Sequence, residues 1–249
     1  MTQRLTDKDF WDYGRDGFQP SRVQGTPFDK ILRRFLPRGG GRTVAEIGAY
    51  PGGFLLSIAR EFDLQPTAID YSDHSENIAA LFEYNDSPPP EVLNQDFFEM
   101  QGRQFDVVAS FGFIEHFERS GPVLAKHAEM VSEGGYLVLS VPYLGGWQGL
   151  LRRLAYTDHA IRRIWMSHNT DTMNLNTLRD AVRAQGMQML FSDYVMKGEV
   201  WIDPNGGDVK RGFGWLIRFA RALNRTVLRW LPSSRHWSPM ILLIARKTA

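Results

Sequence analysis

At 249 residues, 43% of them hydrophobic, the chain is long enough for one α/β domain with additions and a large core. It has no cysteine, which excludes disulfides, thiolate catalysis and zinc–cysteine sites. A net charge of +1 argues against a dedicated nucleic-acid binder, no run approaches the roughly 18 apolar residues of a membrane span, and residues 1–10 lack an apolar signal core, so a cytoplasmic protein is expected.

Phe10, Trp11, Tyr13 and Phe18 form an aromatic group among charges ahead of the first core strand. Phe28, Ile31, Leu32, Phe35 and Leu36 fall on one side of a helix predicted over 27–36, which the glycines after Pro37 end. Thr43 to Ile47 reads as a short buried strand interrupted only by Glu46. Gly48, Pro51, Gly52 and Gly53 make a turn, and Phe54, Leu55, Ile58, Ala59 and Phe62 follow at helical spacing. Such a turn lets a ligand approach bare backbone and aims helix N–H groups at it. Its glycines do not follow the dinucleotide spacing G-x-G-x-x-G.

Thr67 to Asp70 is the second strand. Asp70 lies 24 residues after Glu46, close to the ~20-residue offset at which α/β nucleotide sites place a ribose-binding carboxylate. Ser72 or Asp73 is placed to cap a helix reaching about Tyr84, with His74 facing solvent in its first turn. A proline-rich loop leads to a third strand over 91–94, with Asp96 after it. The fourth strand, Asp106 to Ser110, ends in the loop Phe111-Gly-Phe-Ile-Glu-His-Phe117. Glu46, Asp70, Asp96 and the Ser110 loop thus share the carboxyl ends of strands, where open parallel sheets bind ligands.

Glu115 and His116 are an adjacent acid and imidazole on that loop. Histidine suits removal of a hydroxyl proton near neutral pH, so His116 is either a catalytic base or a residue that organises the loop or orients substrate. No paired acids with an adjacent Asn form a metal site, and no metal is expected.

These motifs, in this order, resemble the S-adenosylmethionine-dependent methyltransferases with the Rossmann-like (class I) fold. Glu46-Ile-Gly-Ala-Tyr-Pro-Gly-Gly53 is similar to their first motif, with Tyr50 standing where a second glycine is usual. Gln95-Asp96-Phe97, the Phe105–Phe117 segment and Gly134–Pro142 resemble the third motif, the fourth strand with its loop, and the fifth strand after its Gly-Gly turn. The resemblance implies S-adenosylmethionine as cofactor. It implies a cofactor site of Glu46, Gly48, Ala49, Tyr50, Gly52, Asp70, Tyr71, Asp96, Phe97 and Ser110, with Asp70 on the ribose and Asp96 on the adenine. It further implies an α/β, seven-stranded, mostly parallel sheet with an antiparallel last strand, helices on both faces and residues 1–42 as an N-terminal lid; the plainer alternative is that the N-terminal aromatics only cover the sheet edge.

After Pro142 the chain is least regular. Basic pairs Arg152-Arg153 and Arg162-Arg163 lie among Leu150, Leu151, Leu154, Ile161, Ile164 and Trp165. In this fold the insertion follows the fifth strand, where acceptor pockets are built, so Tyr143, His159, His168 and Asn169, with Glu115, are candidate acceptor contacts. This stretch also bears a looser resemblance to bacterial methyltransferases of glycan and secondary-metabolite pathways. A capped helix from Asn174 to Gln185, a strand from Met187 to Val195 and a last strand over 239–247 complete one domain, with a core of 43–195 and an insertion of 196–238.

That insertion is basic. Residues 209–249 hold nine of the 29 Lys and Arg and no acid, which leaves 20 basic against 28 acidic side chains in the first 208. Residues 213–231 read as a helix with Leu216, Phe219, Ala220, Leu223, Val227 and Trp230 on one stripe and Arg218, Arg221, Arg225 and Arg229 mostly off it. Such a helix packs on its own domain, makes a homodimer, lies on an anionic membrane or binds an anionic acceptor. The expected activity is O-methylation of a small molecule such as a sugar or secondary metabolite. N-methylation, a lipid-linked saccharide acceptor and a cofactor-binding scaffold are the alternatives, and no nucleic-acid partner is expected.

Overall fold

The computed structural model describes residues 2–12, 17–196, 202, 205 and 207–248, so Tyr13 and much of the loop after residue 196 lie outside the described residues. Seven strands form one sheet in the order β3–β2–β1–β4–β5–β7–β6. They are β1 (Thr43–Ile47), β2 (Gln65–Ile69), β3 (Glu91–Leu93), β4 (Phe105–Phe111), β5 (Val131–Pro142), β6 (Met187–Val195) and β7 (Met240–Lys247). β1 to β5 are parallel, and β7 is antiparallel to both β5 and β6.

The apolar strands bury both faces, as parallel sheets require. Val44, Val107, Ala109, Val138 and Leu242 point toward α3 (Gly53–Phe62) and α4 (Asn77–Tyr84), with Phe28 and Leu32 from the N-terminal segment beside them. Ala45, Ile47, Val108, Leu137 and Leu243 point toward α5 (Ser120–Met130) and α8 (Leu175–Arg183). Strand order reverses between β1 and β4, so the loops leaving their carboxyl ends diverge and open a crevice.

Three local expectations change. The helix expected over 27–36 is regular only at α2 (Asp29–Leu32) and continues as turns. α4 starts at Asn77 rather than after Ser72 or Asp73, because the Ser72 N–H is taken by Asp70 Oδ1 (2.9 Å) and its carbonyl by Asn94 Nδ2 (2.7 Å); His74 is half-buried there. The basic helix is shorter: α9 spans Gly214–Thr226, and its buried face is Ile217 and Ala220 with Leu216 beside them. Phe219, Val227 and Trp230 are exposed, so the apolar stripe divides into a packed side and a solvent-exposed side. The Arg229 side chain lies outside the described residues.

α9 packs on α6 (Gly146–Ala155) and α7 (Asp158–Ser167) around a separate small core that includes Leu151, Ala155, Ala160 and Ile202. Residues 2–5 lie antiparallel to the loop after β4, with Leu5 N–H donating to the His116 carbonyl (2.8 Å) and Glu118 N–H to that of Gln3 (2.9 Å). They lead into the short helix α1 (Lys8–Asp12).

Candidate active site

The crevice holds a cavity of about 100 Å³ at the carboxyl ends of β1, β2 and β4. Gly48, Tyr50, Asp70, Tyr71 and Phe97 line it, joined by Phe113 and, from the N-terminal segment, Arg4 and Trp11. Gly48 is required twice over: its φ is +70°, and a Cβ there would stand 2.6 Å from the Phe113 ring. Its N–H donates to the Ile69 carbonyl (2.9 Å), which ties the turn to β2. Asp70 is nearly buried and held by two backbone donors, Tyr50 N–H on Oδ2 (2.9 Å) and Ser72 N–H on Oδ1 (2.9 Å). A carboxylate so fixed presents its remaining lone pairs in one orientation.

The other expected cofactor residues, Glu46, Ala49, Gly52, Asp96 and Ser110, do not line this cavity. Ala49 is buried in the core beside the turn, and Gly52, at φ +98°, precedes α3 against Ile78. Glu46 is buried behind the turn. Burial pushes its carboxyl well above the usual range, the Leu55 N–H opposes this and Asp70 adds to it, while Oε2 makes no hydrogen bond among the described residues. Asp96 accepts from Phe98 N–H (3.0 Å) and pairs with the Arg4 guanidinium (2.6 Å), which lies over the Tyr71 ring at 5.0 Å. Ser110 faces the other way. Its hydroxyl donates to Nε2 of His127 (3.1 Å), whose Nδ1–H donates to the Val123 carbonyl (2.8 Å); burial pushes His127 down to about 4.

The Gly112–Phe117 segment runs between this cavity and the insertion. His116 Nδ1 is 2.7 Å from the Ser167 carbonyl, which only accepts, so Nδ1 carries the proton and Nε2 the lone pair. Burial, with His168 beside it, pushes His116 down to about 3, so the ring is neutral at physiological pH. Trp11 packs edge-on against it at 4.6 Å and His168 tilts over it at 4.5 Å. Nε2 is 4.0 Å from Glu115 Oε1. Glu115 is fully buried, neither carboxyl oxygen has a hydrogen-bond partner among the described residues, and burial pushes it up to about 8.

This has a measurable consequence. The unfolded chain loses the Glu115 proton above its usual value of 4.5 and the native protein keeps it to about 8, so stability falls with rising pH across that window. The whole shift corresponds to on the order of 4 kcal/mol. Glu115→Gln removes the loss, and its melting temperature is expected to gain roughly 7–14 °C on wild type between pH 5 and pH 8. A constant difference across that range would contradict a neutral buried carboxyl.

The acceptor candidates separate. Tyr143 stacks edge-on with Tyr194 (4.7 Å) and lines a second cavity of about 500 Å³, walled by Leu144, Ile164, Trp165 and Met173, with Arg152 and Arg153. His168 Nδ1 is bonded within its own segment, to Ser167 Oγ (2.8 Å) and the Ile164 carbonyl (3.1 Å). The Asn169 amide donates to the carbonyls of Phe117 (3.1 Å) and Glu118 (2.9 Å), and its N–H to that of Glu115 (2.6 Å), so it fastens the two loops together. His159 is exposed on α7, lining neither cavity. Arg4 is not legible as a site residue, because it carries no motif and reaches the crevice only through the pairing of residues 2–5 with the loop after β4; Phe113 lies in the recognised Phe111–Phe117 loop, but spacing does not mark its ring as a wall of the cavity.

A family model described as "Methyltransferase domain" matches residues 20–190. No curated protein matches the sequence. Among solved structures, the complex between the Haloferax volcanii Trm112 methyltransferase activator and a methyltransferase provides a chain 16% identical, with all of each chain covered and a TM-score of 0.63. An O-methyltransferase family 2 protein from Planctomyces limnophilus, in complex with apigenin, is 13% identical (89% of this chain, 56% of that one, TM-score 0.58). A Haemonchus contortus phosphoethanolamine N-methyltransferase 2, in complex with phosphomonomethylethanolamine and S-adenosylhomocysteine, is 16% identical (97% and 56%, TM-score 0.57). At these identities the likeness is one of fold.

Proposed function

The chain belongs to the methyltransferase-domain family, and on that premise we propose that it binds S-adenosylmethionine in the β1–β2–β4 crevice and methylates a hydroxyl group of a small molecule such as a sugar or secondary metabolite. The residues fit that cofactor. Gly48 offers bare backbone, Asp70 is fixed for ribose hydroxyls, Phe97 lines the cavity for the adenine with Asp96 next to it on Arg4, and the buried Glu46 Oε2 lies behind the turn without a donor among the described residues. When bound, the cofactor supplies a methyl group already activated by its sulfonium. The cavity, at about 100 Å³, is smaller than the roughly 300–1,000 Å³ of small-molecule sites. Arg4 and Trp11 therefore move aside on loading, and Arg4 gives up Asp96.

The protein's remaining task is alignment, exclusion of water and a place for one proton. The observation that carries the hydroxyl reading is His116: neutral, with its lone pair on Nε2 and its tautomer locked by the Ser167 carbonyl. With the cofactor bound, the hydroxyl of an attacking acceptor would become strongly acidic, and His116 Nε2, though weakly basic, would take that proton. Trp11 covers both the cavity and His116, so the movement that opens one uncovers the other.

The test is transfer of labelled methyl from S-adenosylmethionine into an extract of the source cells, followed by identification of the labelled group. A methyl ether is expected. A methylated amine as the sole product would overturn the hydroxyl reading while leaving the cofactor site intact.

A further inference from the structure

α6, α7 and α9, with the segment after α9, expose large apolar side chains. Trp215 and Phe219 on α9, Trp230 after it, and Trp165 and Met166 on α7 range from Phe219 at 57% to Met166 at 74% exposed. Leu150 and Leu154 on α6 are exposed one turn apart. Arg218, Arg221 and Arg225 form a stripe along α9 at steps of three and four, beside a shallow concavity of about 400 Å³. α9 itself contains no acidic residue, nor does any position from 209 onward. The 500 Å³ cavity shares the rim of this surface, because Trp165 both lines it and stands exposed.

We propose that this face docks on an anionic lipid surface and that the adjoining cavity receives the apolar chain of an acceptor held in that surface. Aromatic and aliphatic tips beside arginines are the composition that seats a helix in the headgroup region of acidic lipids. Among the described residues no helix is long and apolar enough to cross a membrane, so the contact is peripheral. A second copy of the chain is disfavoured as occupant, because a two-fold contact here sets the arginine stripe against itself. A nucleic acid satisfies the arginines and leaves Leu150, Leu154 and Met166 against phosphate. Inside the cavity, Arg152 and Arg153 among apolar walls suit an anionic group next to an apolar chain. The docking claim stands without the methyltransferase reading; the acceptor claim rests on it.

Sedimentation of the full chain with vesicles of phosphatidylcholine containing about 30% phosphatidylglycerol, against phosphatidylcholine alone, tests the docking. Binding to the anionic vesicles at low salt is expected, weakened at least tenfold at 0.5 M salt and in two separate surface variants, Arg218→Glu/Arg225→Glu and Trp215→Ser/Phe219→Ser. Asp70→Ala is expected to sediment like wild type, which separates this result from any failure of the cofactor site. The proposal is overturned by absence of sedimentation or by undiminished binding of both variants. It is equally overturned by a dimer in ultracentrifugation that the Trp215/Phe219 variant dissolves, or by tighter binding to a polynucleotide through the same arginines. Labelled methyl extracted into the lipid phase supports the acceptor assignment, and label confined to the aqueous phase overturns it.

Discussion

Asp70→Ala is expected to abolish binding of S-adenosylhomocysteine, with the folded chain retained. Two losses combine. The carboxylate proposed to hold the ribose hydroxyls disappears, and a hydrogen bond to a charged group contributes about 1.5–3 kcal/mol. The turn also loses its anchor, since the N–H groups of Tyr50 and Ser72 both end on this side chain at 2.9 Å. Together they weaken binding on the order of a thousandfold, beyond detection for a micromolar ligand. Asp70→Asn keeps the size and one acceptor oxygen, and falls between the two. Calorimetry reads the affinities, and thermal melts confirm that the variants are folded. Wild-type affinity in Asp70→Ala would remove Asp70 from the site.

His116→Ala is expected to lower kcat for a hydroxyl acceptor about a hundredfold, within the range for loss of a positioned proton acceptor. Cofactor affinity should change little, because the imidazole is not among the residues lining the crevice cavity. The pH dependence distinguishes this role from loop support. In the unloaded chain, burial under Trp11 holds the ring neutral down to about 3, so log kcat/KM, which reports the free enzyme, should show no histidine inflection between pH 5 and 7. An inflection near the ordinary imidazole value in kcat/KM would mean that His116 already titrates in water before cofactor and acceptor bind. A fall in affinity equal to the fall in kcat would assign it to packing instead.

What the sequence discloses of this site is local. β1, its turn and α3 are contiguous, and their apolar spacing and glycines carry the signal directly. Asp70 follows because a strand end places it, whatever the rest of the chain does. Long-range contacts are a different matter. Nothing around Arg4 marks it as the partner of Asp96, and nothing around Asn169 shows that its amide serves the carbonyls of Phe117 and Glu118 rather than an acceptor. Ser110 was legible in part: strand alternation sets it on the face of Val108, toward α5, opposite Ala109 and α3. In α9 a single stripe was read where there are two sides, because Ile217 and Ala220 need a partner from α6 and α7 that spacing cannot reveal, and the helix ends at Thr226 before Val227 and Trp230 can share a face with them.

The measurement closest to the centre of this account is calorimetric titration of the wild-type chain with S-adenosylhomocysteine. One binding site per chain is predicted, lost in Asp70→Ala. A wild-type chain that shows no binding by calorimetry, and none by protection from thermal unfolding, would contradict the assignment of the β1–β2–β4 crevice as a cofactor site.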